Sequence, residues 1–303
     1  SGGTISINEA IHGGGVGLSN STFTMSGNAD ISSNTAKNGH GGGVLVGNNS
    51  TFTMNSGTIS DNHAINGAGI GVDQASRFIM EGGTITKNII SSEYGHGGGV
   101  AAGNGSTFIM NEGTVSENEA TYGGGVSIDS GANFILNNGT ITENTANHHG
   151  GGVRCNGTFI MGNGTISGNY AGQWGGGVNV EGGIFTITNG TISNNEAEYG
   201  GGGVHQSGGE FNMDGGTISG NITTNTNSGG VDIRKSSKFS KTGGIIYGNE
   251  AGDLRNTHNA IYTAIDLYNN YPMIRTYTVD ATEILSYDGT RSSPETTGTW
   301  EQY

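Results

Sequence analysis

The sequence predicts an all-β fold, a right-handed parallel β-helix of about ten coils with about 27 residues and three strands in each. Three observations lead there. A motif of the form Gly-Thr-Ile-Ser-x-Asn-x-Ala, followed by a glycine run and Val, recurs along the chain, as in "GTISGNYAGQWGGGV" and "GTVSENEATYGGGV". All nine Phe residues fall in one column of that repeat, from Phe23 to Phe239. Around each apolar anchor the pattern alternates with period two, which is the signature of strands and not of helices.

The elements follow in order. Ile5, Ile31, Ile59, Ile85, Val115, Ile141, Ile166, Ile192, Ile218 and Ile246 mark one strand per coil. The closing residue of each glycine run (Val16, Val44, Ile70, Val100, Val126, Val153, Val178, Val204, Val231) marks a second. Phe-x-Met or its equivalent marks the third, and Met25, Met54, Met80, Met110, Met161 and Met213 point inward with the Phe column. Coils stacked at about 4.8 Å place like side chains on like side chains and give a rod on the order of 45 Å long. Parallel crossovers default to right-handed winding. An Asn three residues after each Ile, from Asn8 to Asn249, lies where Asn tolerates left-handed backbone and where stacked amides can bond one another up the rod. Ala two residues further fits a tight inward corner. The glycines turn the chain where neighbouring backbones crowd. Lys241 is the first break in the inward Met column. Residues 1–251 form the repeats, and 252–303 read as a degenerate last coil, with Ile261 in the Val column, and a C-terminal cap.

Composition excludes several classes. There are 61 Gly but only 2 Pro and no strict Gly-X-Y period, so the chain is not collagen-like. A net charge of -14 with 11 Lys and Arg argues against nucleic acid as a partner. No apolar run approaches the ~18 residues of a transmembrane helix. The acidic, Asn/Thr/Ser/Gly-rich surface points to an extracellular or cell-surface setting. Cys155 is the only cysteine and shares the inward parity of Val153, so it reads as a buried apolar residue. The chain opens inside a repeat, as a processed protein or a fragment of a longer one does.

Ile-Ser-x-Asn-x-Ala followed by Gly-Gly-Gly-Val resembles the repeat of bacterial polymorphic outer-membrane proteins, which pair an FxxN element with GGA[ILV]. It is also similar to the right-handed, pectate-lyase-like β-helix repeats of bacterial surfaces. The resemblance covers residues 1–251, with Ile in place of the Phe and Gly in place of the Ala. It implies a secreted or surface-anchored adhesin whose partner is a glycan or a protein of a host or neighbouring cell. Lyases of this fold use acidic Ca²⁺ ligands and a basic proton acceptor, so Ca²⁺ is the one cofactor the resemblance brings; otherwise neither cofactor nor metal is expected.

The departures from the repeat are the candidate sites. The outward residue of the Val strand is small or apolar in the first five coils, then becomes Arg154, Asn179, His205 and Asp232. Arg154, His205 and Asp232 are the catalytic candidates of a polysaccharide lyase or hydrolase; the plain alternative is a row of solvated side chains. Four residues before each Val lies a ring column that includes His96, Tyr122, His149 and Trp174. These are the ligand-binding candidates, as a platform for sugars; the plain alternative is shielding of the glycine corner, with variable corner lengths scattering the rings. The longest corner, "NIISSEYGHGGG", is a recognition loop. Ile79, Ile109, Ile135 and Ile160 point outward in successive coils and mark a partner-binding stripe. Paired Thr and Ser flanking the Ile column, such as Thr140 and Thr142, would form the face of an ice-binding protein. The expected function is a non-catalytic surface adhesin or carbohydrate-binding module, with the enzyme second and ice binding third.

Overall fold

The computed structural model describes residues 2–224, 228–234, 237–247 and 261–263. It is a parallel β-solenoid of about nine turns with roughly 26 residues per turn and, among the described residues, no helix. One coil shows the plan. Thr58–Ser60 forms the Ile strand, Ile70–Val72 the Val strand and Arg77–Met80 the Phe strand. A fourth strand of two residues, His63–Ala64, stands at the Asn-x-Ala corner. Three strands per coil are therefore corrected to four, stacked, among the described residues, into sheets of ten, nine, ten and nine strands. The extra strand escapes an apolar count because only its Ala faces inward.

Register is set by the columns. Phe78 pairs with Phe52 and Phe108, and Ile85 with Ile59 and Val115. Seven Phe rings from Phe52 to Phe211 are fully buried, and consecutive centroids in the stretch from Phe78 to Phe211 lie 4.6–4.9 Å apart. One continuous core runs from Met25 to Ile246. Cys155 is buried in it, and burial pushes its thiol up to about 12, so no thiolate forms near neutral pH. Lys241 is accommodated in the Met column because its Nζ donates to the Gly244 carbonyl at 2.9 Å.

The Asn column is a buried amide ladder. Asn144 Nδ2 donates to Asn169 Oδ1 at 2.9 Å and to the Val115 carbonyl of the preceding coil at 2.9 Å. Its own Oδ1 accepts the backbone N–H and side-chain amide of Asn118, at 3.0 and 2.9 Å. The same links run from Asn8 to Asn221. The left-handed backbone expected of these Asn residues belongs instead to the residue before each, as at Lys87 (φ 56), Glu117 (φ 54) and Glu143 (φ 56). That twist turns the amide inward, so the Asn side chain bonds to the next coil while its neighbour absorbs the strain. At the glycine corner, Gly123 has φ +65, and a Cβ on Gly124 would lie 2.4 Å from the Thr145 carbonyl oxygen and 2.6 Å from that of Gly151. Only glycine lets coils approach so closely there.

Ile261 pairs with Val231, which places it in the Val column. The rest of the cap expected over 252–303, and Asn249, lie outside the described residues.

Candidate functional site

The Val sheet carries a groove of about 790 Å³ lined by Tyr94, His96, Tyr122, His149, Arg154, Trp174, Asn179, Glu181, His205, Ser207 and Arg234. Three columns of the repeat build it. Arg154, Asn179 and His205, in register in adjacent coils, are the floor. The ring column is one wall. The residues three past each Val, including Glu181, Ser207 and Arg234, are the other. The groove spans six coils, or about 24 Å at the usual strand spacing.

The rings are not scattered. His96 pairs with Tyr122, Tyr122 with His149, and His149 with Trp174. The glycine run after each ring has fixed length, so ring and Val keep register; a bulge between Ala120 and Tyr122 absorbs the extra corner residue. His96 stacks on Tyr122 at 5.1 Å, His149 meets Trp174 edge-on at 4.9 Å, and Trp174 stacks on His205 at 5.6 Å. Exposed Tyr94, from the long corner, stands at one end.

The floor is not a row of solvated side chains. Asn179, His205 and Asp232 are buried. Arg154 is held on several sides: Nε and Nη2 reach Glu181 Oε2 at 2.8 and 2.6 Å, Nη1 reaches Asp129 Oδ1 at 3.3 Å, and the guanidinium carbon lies 5.6 Å from the Tyr122 ring centroid. Glu181 Oε1 accepts from Asn179 Nδ2 at 3.0 Å and lies 3.0 Å from His149 Nδ1. Burial alone would raise the Glu181 carboxyl, but its bonds to His149 and Arg154 outweigh that and pull it from 4.5 down to about 2. Glu181 is therefore a clamp, ionised at any working pH.

His205 Nδ1 lies 3.1 Å from Asp232 Oδ2, which also takes Arg234 Nη2 at 2.8 Å. Burial pushes the His205 imidazole down against the pull of Asp232, and burial with the nearby Arg154 does the same to His96. So Arg154, His205 and Asp232 do share one face. Arg154 has spent its fork on Glu181, however, and His205 is covered by Trp174. Neither offers the free cation or open base that attack on a polyuronate requires. Among the described residues no group of three or more His, Cys, Asp or Glu side chains is arranged to hold a metal ion.

Glu181, Asp129 and Arg234 were not found by sequence reasoning. Their signal was available: the position three past Val is small or neutral in several coils but charged at Asp73, Asp129, Glu181 and Arg234.

The remaining candidates lie on other sheets. Ile79, Ile109, Ile135 and Ile160 stack in register on the outer face of the Phe sheet, the first three half-buried and Ile160 exposed. Thr140 and Thr142 stand half-buried on the Ile sheet. No helix among the described residues is long and apolar enough to cross a membrane.

The Glu181 clamp makes stability depend on pH in a known direction. Its folded value lies below its ordinary one, so its contribution is complete above pH 4.5 and is lost as pH falls towards about 2. The loss is on the order of 3 kcal/mol. Urea unfolding across that window should show a steeper decline for the wild type than for Glu181→Gln; parallel curves would contradict the clamp.

No protein-family description, curated protein or solved structure matches this chain.

Proposed function

We propose that the chain is a non-catalytic binding module that holds a carbohydrate chain in the Val-sheet groove, at a cell surface or outside the cell. The observation that carries this reading is the wall of Tyr94, Tyr122 and Trp174 facing fixed polar groups along one extended groove. Aromatic faces take the apolar faces of sugar rings, and fixed polar side chains beside them, such as Asn179, take hydroxyl groups. Rigid placement favours binding, because little side-chain entropy is lost on association. The acidic, glycine-rich composition and the likeness to bacterial surface repeats support the extracellular setting.

Two experiments address it. A glycan array probed with the intact protein should return oligosaccharide hits. For the strongest, Trp174→Ala should weaken binding by about 2 kcal/mol, roughly thirtyfold. An unchanged affinity would remove the groove from the account.

A further inference from the structure

The groove sorts ligands by charge. Its cations are already answered inside the protein: Arg154 by Glu181 and Asp129, Arg234 by Asp232. Among the residues lining the groove, one buried side-chain acceptor is left without a partner. Asn179 sits on the floor between Arg154 and His205 and is 1% exposed. Its Nδ2 is committed to Glu181 Oε1 at 3.0 Å, which fixes the orientation of the amide. Its Oδ1 is buried with no hydrogen-bond partner. A buried acceptor without a donor is an uncompensated cost that a bound donor removes. The neighbouring Glu181 is ionised and also accepts only. The centre of the floor therefore asks for hydrogen-bond donors and repels carboxylates and sulfates.

Resting on the carbohydrate reading above, we propose that the groove selects neutral sugars over uronates and that Asn179 Oδ1 accepts a hydrogen bond from one sugar hydroxyl, making Asn179 a specificity residue. A hydroxyl suits this position because its O–H donates to Asn179 Oδ1, which an ionised carboxylate cannot do. A site that hydrogen-bonds a hydroxyl discriminates strongly against the analogue lacking it.

The test uses the full chain, titrated with neutral cello-, malto- and xylo-oligosaccharides and with oligogalacturonate and oligomannuronate. The best neutral oligosaccharide should bind at least about tenfold more tightly than either uronate. Its monodeoxy analogues, tried on the wild type, should include one that loses about tenfold or more, and Asn179→Leu should lose as much for the parent sugar yet show no further loss for that analogue. Thermal melting checks that Asn179→Leu is folded; the deoxy series needs no variant. Uronates binding as tightly as neutral sugars, with affinity lost in Trp174→Ala, would overturn the charge selection and leave the groove reading standing. Neutral sugars whose every deoxy analogue binds equally well would overturn the role of Asn179. Binding that Trp174→Ala does not affect would sink the groove reading itself.

Discussion

Phe134→Ala should cost about 3–5 kcal/mol of stability. Phe134 is fully buried and stacked between Phe108 at 4.6 Å and Phe159 at 4.8 Å, with both pairs within 6° of coplanar. Truncation removes contacts with both neighbours and leaves a hole in a column that cannot close up, because the backbone ladder fixes coil spacing. Ile160→Ala, outward on the same sheet, should cost less than about 1 kcal/mol. The backbone ladder joins each coil to its two neighbours, so the damage should appear in hydrogen exchange as early opening on both sides of Phe134. A loss under about 1 kcal/mol for Phe134→Ala would contradict the inward assignment of the Phe column.

Asn144→Ala should be comparably damaging, at about 3–6 kcal/mol, although it deletes no large apolar group. It strands the Asn118 backbone N–H and the Asn118 amide, both of which donate to Asn144 Oδ1, and it leaves Asn169 Oδ1 and the Val115 carbonyl without that donor. Each buried group left without a partner costs about 1–3 kcal/mol. The chain supplies its own control. Asn137 Nδ2 donates to Asn111 Oδ1 at 2.8 Å in an exposed ladder. Water replaces that bond, so Asn137→Ala should cost less than about 0.5 kcal/mol. Equal effects of the two substitutions in urea unfolding would show that the buried ladder does not hold the coils together.

The solenoid was legible because its rules act within a column. A stacked coil puts Phe on Phe and Asn on Asn, so the period alone reports the core, the amide ladder and the glycine corners. Even Ile261, after a degenerate stretch, pairs where the Val column expects it. Features that are not columns were harder to see. The two-residue strand His63–Ala64 has no apolar alternation to announce it, and the left-handed position before each Asn holds turn residues in some coils, such as Asp61, Gly168 and Asn194, but Lys87, Glu117 and Glu143 in others, so no single residue type marks it.

The groove was legible in part for the same reason. His96, Tyr122, His149 and Trp174 keep one spacing to Val, as do Arg154, His205 and Asp232, so each set reads as a column. What joins the sets is side-chain reach across coils. Arg154 Nη1 lies 3.5 Å from His96 Nδ1, 58 residues away, while its Nε and Nη2 bind Glu181 in the next coil. No spacing rule foretells that Glu181 closes the fork of Arg154, and that closure joins the separate columns into one fixed floor.

The most direct test is a crystal structure of the intact protein with the oligosaccharide that binds it best. The account predicts sugar rings against Tyr122 and Trp174, with a hydroxyl within hydrogen-bond distance of Asn179 Oδ1. A ligand ordered instead on the Ile79–Ile160 ridge or on the Thr and Ser face, with the groove empty, would contradict it.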